Sequence, residues 1–170
     1  MVLGPSSARV RVFAGSTILL YLKFLVTARM QAVRTFAAGG RPPEDIKIAE
    51  LLKRKGPAQN YGLSSLQSGD AQRDEKLQRR VMRDQRWRRI VANDIEAIPF
   101  ALAVFAAGLF VESNEQVLIG SMVTFTVARF AHTIAYAHEL QPHRSLVWAV
   151  GVGAVLVAAG SVASALIASA

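Results

Sequence analysis

The sequence of 170 residues contains no cysteine and only three histidines. The lack of cysteine excludes disulfides, cysteine nucleophiles and thiolate metal sites, so any sulfur chemistry must come from a bound molecule. His132, His138 and His143 are too few and too loosely spaced to indicate a metal site. The sequence also lacks a glycine-rich phosphate loop, a Ser/His/Asp triad signature and an internal repeat.

Acidic residues are scarce: 12 Asp and Glu stand against 20 Lys and Arg, which gives a net charge of +8. Such a balance is typical of proteins that bind nucleic acid or anionic lipid. Fourteen of the 20 basic residues lie in residues 30–93, between two apolar blocks. The positive-inside rule therefore places this loop on the cytoplasmic or matrix side, and both termini and residues 111–116 on the other. This distribution favours lipid, and we expect no nucleic-acid partner.

Hydrophobic residues make up 52% of the chain and gather in four blocks, roughly residues 12–28, 95–111, 117–137 and 145–169. Each block is close to the ~20 residues that a helix needs to cross a bilayer. The first is too long for a secretory signal, contains Lys23 and lacks a convincing cleavage site. A soluble four-helix bundle is the alternative, but the last block is apolar on every face. The sequence predicts an all-α integral membrane bundle of four transmembrane helices, as one domain over residues 1–170.

An extended basic loop at about residues 39–88 separates the first two spans. Glycines and prolines in 39–45 break the first helix. Residues 45–55 are predicted to form a short amphipathic helix on the membrane surface, and residues 56–70 a loop. Residues 71–100 are predicted to form one helix that begins in water and enters the membrane.

Polar and ionisable residues are costly inside a membrane, so they indicate functional or packing sites. Spacing places two sets of such residues on single helix faces. The first set is Arg89, Asn93 and Glu96; the second is Arg129, His132 and Tyr136. Arg34 closes the first span, while Arg144 and Ser145 open the fourth.

A pocket lined by these residues would be rich in guanidinium groups, which bind carboxylates through paired hydrogen bonds. Glu96 could bind an amine, so a small zwitterion or a peptide with several carboxylates fits. The alternative is local: Glu96 pairs with Arg89 or Arg129, and the other long side chains extend to the lipid headgroups.

Three short segments resemble the MAPEG family, the membrane-associated proteins in eicosanoid and glutathione metabolism. The segment RxxxNDxE comprises Arg89, Asn93, Asp94 and Glu96, and is followed by Pro99 and Phe100. The segment RxxHTxAY comprises Arg129, His132, Thr133, Ala135 and Tyr136, and is followed by Arg144 and Ser145. Val33 with Arg34, and Pro43, Glu44 and Asp45, match at the first loop. The branch most similar contains microsomal glutathione transferase and microsomal prostaglandin E synthase.

This resemblance implies a homotrimer of four-helix protomers that binds glutathione between protomers, near the cytoplasmic side, together with a lipophilic second substrate. The implied glutathione-binding residues are Arg34, Arg89, Asn93, Glu96, Arg129, His132, Tyr136 and Arg144, with Ser145. Arg144 would stabilise the glutathione thiolate, because a nearby cation lowers the pKa of a thiol. In the prostaglandin-synthase interpretation, Ser145 or Asp45 would assist Arg144. No protein cysteine is needed.

The sequence also departs from this branch. The first loop is about twenty residues longer than expected, Val91 replaces a histidine, and Trp148 replaces a tyrosine. One residue is missing before Pro99 and another between Tyr136 and Arg144. The first hypothesis is therefore a membrane glutathione transferase acting on a lipophilic electrophile or peroxide. The second is a non-catalytic subunit of a larger membrane complex. The resemblance implies the endoplasmic reticulum, while an arginine-containing, acid-free stretch of 43 residues leaves the mitochondrion open.

Overall fold

The computed structural model describes residues 7–51, 53, 56–63, 71–111 and 113–169, apart from the side chains of residue 48 and residues 71–74. The helices are α1 (Ala8–Ala37), α2 (Ile46–Leu51), α3 (Ala71–Phe110), α4 (Glu115–Ala137) and α5 (His143–Ala168), and a 3₁₀ turn lies at Pro43–Asp45.

Four of these helices are long and apolar enough to cross a membrane: α1, residues Glu75–Phe110 of α3, α4 and α5. The predicted all-α, four-span membrane fold is therefore confirmed. The prediction of one helix from residue 71 into the membrane is also confirmed, and α3 continues through Pro99 to Phe110. Between residues 45 and 55, the described helix ends at Leu51 rather than at residue 55. Part of the predicted loop, residues 64–70, lies outside the described residues.

The C-terminus of α1 ends in a glycine cap. Gly39 has φ 72°, a left-handed conformation that glycine adopts without a Cβ penalty. Its N–H donates to the Phe36 carbonyl at 3.1 Å, and the Gly40 N–H donates to the Thr35 carbonyl at 2.9 Å. This pair of bonds is the Schellman arrangement, which satisfies carbonyls that the helix leaves unpaired. It stops the first span and starts the loop.

The connection between α3 and α4 is short and well capped. The Asn114 side chain accepts from the backbone N–H groups of Gln116 and Val117, both at 3.1 Å, and so caps α4. The Ser113 hydroxyl donates to the Gly108 carbonyl at 3.0 Å. Arg9 of α1 is 5% exposed and donates to the Ser113 carbonyl at 3.4 Å. These bonds hold the beginning of α1 against the α3–α4 turn.

Contacts divide the chain into two compact units. The bundle unit comprises the described residues up to Leu25 and from Ala92 onwards. The loop unit comprises Val26–Val91. The bundle unit has its own core, to which all four spans contribute: Leu20, Ala101, Phe105, Leu109, Leu118, Met122, Phe125, Ala154 and Ala158. Phe105 and Phe125 pack edge to face, with ring centroids 5.8 Å apart. This core fixes the helices that carry the polar residues described next.

Candidate functional site

A cluster of three charged side chains lies inside the bundle unit. The Asp94 carboxylate of α3 is fully buried and accepts from Lys23 Nζ of α1 at 2.6 and 2.5 Å. It also accepts from Arg129 Nη2 of α4 at 2.5 Å. Lys23 is 6% exposed and Arg129 3%. Buried charges are retained where they are paired, so Asp94 binds three helices together at this level.

The position of Arg129 corrects part of the sequence analysis. One expectation paired Glu96 with Arg129, and that pairing is wrong, because Asp94 is the partner of Arg129. Glu96 is exposed and has no ion-pair partner among the residues that the structure describes. The Arg129 Nε is buried and makes no hydrogen bond within that same part of the chain. Arg129 therefore links α4 to α3 through Asp94, and Glu96 faces outward.

Three of the predicted site residues form a stack at the end of α4. The His132 and Tyr136 rings meet edge to face, with centroids 5.7 Å apart. The Arg144 guanidinium lies over the Tyr136 ring, with Cζ 4.4 Å from its centroid. A cation over an aromatic face is held by the ring quadrupole. Tyr136 therefore orients the guanidinium of Arg144, the group that the family resemblance places beside the glutathione thiol.

The turn between α4 and α5 brings Arg144 to this position, although the segment between Tyr136 and Arg144 is one residue shorter than the resemblance leads us to expect. Glu139 has φ 63°, and the Leu140 N–H donates to the Ala135 carbonyl at 2.9 Å. The Gln141 amide is oriented so that its oxygen accepts from Arg144 Nε at 3.3 Å and its nitrogen donates to Ser145 Oγ at 3.2 Å. Gln141 thus lies between the two residues, and Ser145 remains exposed.

Two further polar atoms next to this stack have no hydrogen-bond partner among the described residues. They are His132 Nδ1 and Thr133 Oγ1, both buried. An unpaired buried polar atom costs free energy, so such atoms in a native protein call for a partner. His132 and Thr133 therefore offer a donor or acceptor to a bound molecule.

An apolar groove of about 190 Å³ runs along the bundle unit and includes Arg129 in its lining. Its walls come from α3, α4 and α5, and they are Ala97, Phe100, Ala101, Phe125, Arg129, Trp148, Gly151, Val152, Val155 and Leu156. An apolar cavity of about 150 Å³ is large enough for benzene. The groove can therefore hold an aromatic ring or part of an alkyl chain.

The other predicted site residues belong to the loop unit. Asp45 accepts from Arg41 Nη1 at 2.9 Å, so its carboxylate is paired within its own turn. Arg34 is partly buried, and its Nε has no hydrogen-bond partner in the part of the chain that the structure describes. Arg89 is exposed on α3 and makes contacts of its own.

The MAPEG family model matches residues 12–164, which covers all four spans. The chain belongs to the MAPEG family. No curated protein matches the sequence. Membership of the MAPEG family is consistent with a membrane role in glutathione or eicosanoid metabolism, and its members commonly use glutathione as a substrate or cofactor.

The site prediction missed two residues of this MAPEG protein, Lys23 and Gln141. Lys23 completes the Asp94 cluster, and its signal was a lysine inside an otherwise apolar span. Gln141 reaches Arg144 and Ser145 from the turn, and nothing in its sequence context marks it. Asp94 lay inside the RxxxNDxE segment but was not assigned a role of its own. Asn93 and Glu96 flank it on α3.

Proposed function

We propose that this MAPEG protein is an integral-membrane glutathione transferase that acts on a lipophilic electrophile or peroxide. The observation that carries the proposal is the stack of Arg144 on Tyr136 and of Tyr136 on His132. A pure membrane anchor has no need to hold a guanidinium at this position. The family match supports the same chemistry.

The side chains of the bundle unit fit glutathione, a tripeptide with two carboxylates, one ammonium group and one thiol. Arg144 is half-buried and offers guanidinium donors to an anion. The buried, unpartnered atoms of His132 and Thr133 offer hydrogen bonds, and the exposed Glu96 offers a carboxylate for the ammonium group. Asn93, Arg34 and Arg89 remain predicted ligands on the basis of the family. Arg129 binds Asp94 through Nη2, so it would contribute to a ligand through its other nitrogens.

Each residue then has a distinct part in the reaction. Glutathione, when bound, supplies the thiolate that acts as the nucleophile. The positive charge of Arg144 favours that thiolate over the thiol, because it stabilises the charged form. Tyr136 orients Arg144, and Ser145 is a candidate hydrogen-bond donor beside it. The resemblance keeps Asp45 as a candidate for assisting Arg144, although its carboxylate also pairs with Arg41.

The apolar groove supports a lipophilic second substrate. Phe100, Trp148 and Val152 line it, and Arg129 adds a charged group to a lining that is otherwise mostly apolar. Ligand sites that are mostly apolar with a few polar groups are typical of small-molecule binding. A substrate dissolved in the bilayer would enter this groove without crossing water.

Thiolate absorbance of glutathione tests the proposal. The purified protein in detergent should give a thiolate signal with millimolar glutathione near neutral pH, and Arg144→Ala should abolish it. Arg79→Ala is the matched control, because Arg79 is an exposed arginine on α3 that pairs with Glu75 of the same helix. No glutathione binding by the wild-type protein would overturn the proposal.

A homotrimer is the proposed assembly. Glu96 is an exposed carboxylate on a spanning helix, and it has no ion pair within the described residues of one chain. An unpaired charge at membrane depth is costly, which favours a partner from a second protomer or a bound ligand. The resemblance implies three protomers, so native mass spectrometry of the detergent-solubilised protein should give three copies per particle.

A non-catalytic subunit of a larger membrane complex is the second candidate. The Lys23–Asp94–Arg129 cluster favours it, because the ion pairs of these three residues link three helices and involve no ligand. Under this candidate, the protein copurifies as one copy with unlike subunits and gives no thiolate signal. The two measurements above therefore separate the candidates.

A further inference from the structure

A second cavity, of about 400 Å³, lies in the loop unit and is polar on about half of its surface. It is larger than the ~30 Å³ share of a water molecule and lies in the size range of ligand pockets. Its lining includes Gln31 and Thr35 of α1, Arg41, Asp45 and Tyr61 of the loop, and Arg88 of α3. Of these lining residues, the proposed transferase chemistry involves Asp45 alone, as a candidate for assisting Arg144.

Two arginines line the cavity, and each is anchored by one carboxylate. Arg88 Nε donates to Asp84 Oδ2 at 2.9 Å, and Asp84 is 6% exposed. Arg41 Nη1 donates to Asp45 Oδ2 at 2.9 Å. The Arg88 and Arg41 side chains remain 49% and 36% exposed. Each guanidinium therefore keeps N–H donors that no described residue accepts, while one edge is fixed.

The anchor of Arg88 is built from several elements. Asp84 also accepts from the Thr35 hydroxyl at 2.5 Å, which ties α3 to α1. Arg88 Nη2 lies close to the backbone of Gly40: a Cβ at that position would be 3.3 Å from Nη2 and 3.1 Å from the Thr35 methyl carbon. The absence of a side chain at Gly40 thus lets the guanidinium pack against the loop. Such a fixed fork is suited to binding phosphate.

The loop that contributes Arg41 and Tyr61 to the cavity is held in place by the Gln59 side chain. Gln59 is 4% exposed, its amide nitrogen donates to the Phe36 carbonyl at 3.0 Å, and its oxygen accepts from the Arg41 backbone N–H at 3.2 Å. The Tyr61 N–H donates to the Arg41 carbonyl at 3.0 Å. Arg41 and Tyr61 are therefore held by the backbone rather than left on a free loop.

The surroundings of the cavity favour an anionic ligand from the bilayer. Residues 71–91 contain eight Lys or Arg and three Asp or Glu, an excess of five positive charges. Basic clusters that adjoin a span on the cytoplasmic side attract anionic lipid headgroups. The lining from α1 begins at Ala28, where the apolar segment of the first span ends. The cavity therefore lies at the polar end of the span, where headgroups lie.

We propose that this cavity binds the phosphate of an anionic phospholipid headgroup between Arg41 and Arg88. Tyr61, 65% exposed, adds an amphipathic ring of the kind that is enriched at membrane interfaces. Arg41 and Arg88, which would bind the phosphate, have no assigned part in glutathione chemistry, so lipid retention tests this site independently of the proposed transferase activity.

Lipid retention by the full-length protein tests the site. The protein is reconstituted in nanodiscs of phosphatidylcholine with a minor share of phosphatidylglycerol of the same chain length, and then extracted into detergent for native mass spectrometry. We expect retained phosphatidylglycerol on the wild-type protein and a roughly tenfold weaker apparent affinity for Arg88→Gln and Arg41→Gln, because each loses charge-assisted hydrogen bonds.

Arg79→Gln is the matched control. Like Arg88, Arg79 lies on α3 and pairs with a carboxylate four residues before it, yet it does not line the cavity. Arg79→Gln should retain the lipid as the wild-type protein does. An equal loss in all three variants would show diffuse attraction by the basic helix and overturn the proposal. Arg41→Gln decides the question if Arg88→Gln does not fold.

Two further outcomes would also overturn the lipid assignment. Equal retention of phosphatidylcholine and phosphatidylglycerol would remove the charge selectivity on which it rests. Displacement of the lipid by millimolar inorganic phosphate would assign the cavity to a soluble phosphate ligand instead. We expect neither outcome, because the acyl chains of the lipid lie in the bilayer and add to the binding of its headgroup by the two arginines.

Discussion

The Asp94 carboxylate accepts a hydrogen bond from Arg129 Nη2 at 2.5 Å, with Asp94 fully buried and Arg129 3% exposed. Lys23 Nζ binds the same carboxylate from α1. One acidic residue thus offsets two basic residues on two other helices. The cluster explains why a membrane bundle tolerates a lysine in its first span and an arginine in its third.

Asp94→Asn should destabilise the bundle strongly. It removes the negative charge and leaves Lys23 and Arg129 facing each other without a carboxylate, and breaking a buried ion pair costs about 3–5 kcal/mol. The free energy of unfolding, measured by denaturant titration in lipid bicelles, should fall by that amount.

Glu75→Gln is the control for this prediction. It breaks the Glu75–Arg79 pair on the same helix, whose side chains are 66% and 68% exposed. Exposed pairs contribute about 0–1 kcal/mol, so stability should change little. Equal losses in Asp94→Asn and Glu75→Gln would contradict the assigned role of the cluster.

The four spans were predictable, because each apolar block is long enough to cross a bilayer and the helices follow the blocks. The continuity of α3 was predictable for the same reason, as residues 71–94 contain no glycine or proline. The partners of the charged residues were not. Lys23 and Asp94 are 71 residues apart, and their pairing depends on how α1 packs on α3. Spacing along one helix gives the face of a residue but not its neighbour.

The candidate site was likewise predictable only in part. The spacing of Arg129, His132 and Tyr136 placed them on one face, and the ring contact of His132 with Tyr136 agrees. The contact of Arg144 with Tyr136 depends on the turn at residues 138–142, whose conformation local sequence did not reveal. The phosphate cavity depends on Gln59, whose side chain bonds to Phe36 from 23 residues away.

Gly108→Ala should destabilise the bundle by about 1–3 kcal/mol, the usual cost of overpacking a core. A Cβ at Gly108 would lie 2.7 Å from Leu118 Cδ1 and 3.1 Å from Ser113 Oγ. Leu118 is fully buried, so its side chain has little room to move aside.

Gly120→Ala on α4 is the control, since a Cβ there meets nothing within 4 Å. It should be neutral or slightly stabilising, because alanine is the better helix former. Thermal unfolding of both variants in the same detergent makes the comparison.

Tyr136→Leu should lower the thiolate fraction of bound glutathione, because it removes the aromatic face that orients Arg144. A cation–π contact of about 0.5–2 kcal/mol corresponds to a loss of roughly two- to thirtyfold. Tyr136→Phe keeps the ring and should keep the thiolate fraction at saturating glutathione, even if loss of the hydroxyl weakens binding. Thiolate absorbance against glutathione concentration separates the two quantities. A Phe variant as defective as the Leu variant would assign the effect to the hydroxyl instead.

Val152→Phe should narrow the apolar groove and select against long substrates. Val152 lines the groove and is 38% exposed, so a phenyl ring fits there without crowding the core. With glutathione saturating, kcat/KM for a long-chain alkyl electrophile should fall roughly tenfold, the scale on which pocket contacts discriminate between substrates. The rate with a small electrophile such as 1-chloro-2,4-dinitrobenzene should stay close to that of the wild type.

Val150→Phe is the control. Val150 lies two residues away on α5, is 51% exposed and does not line the groove, so this substitution should leave both rates unchanged. If both variants lower both rates alike, the second substrate binds elsewhere on the bundle.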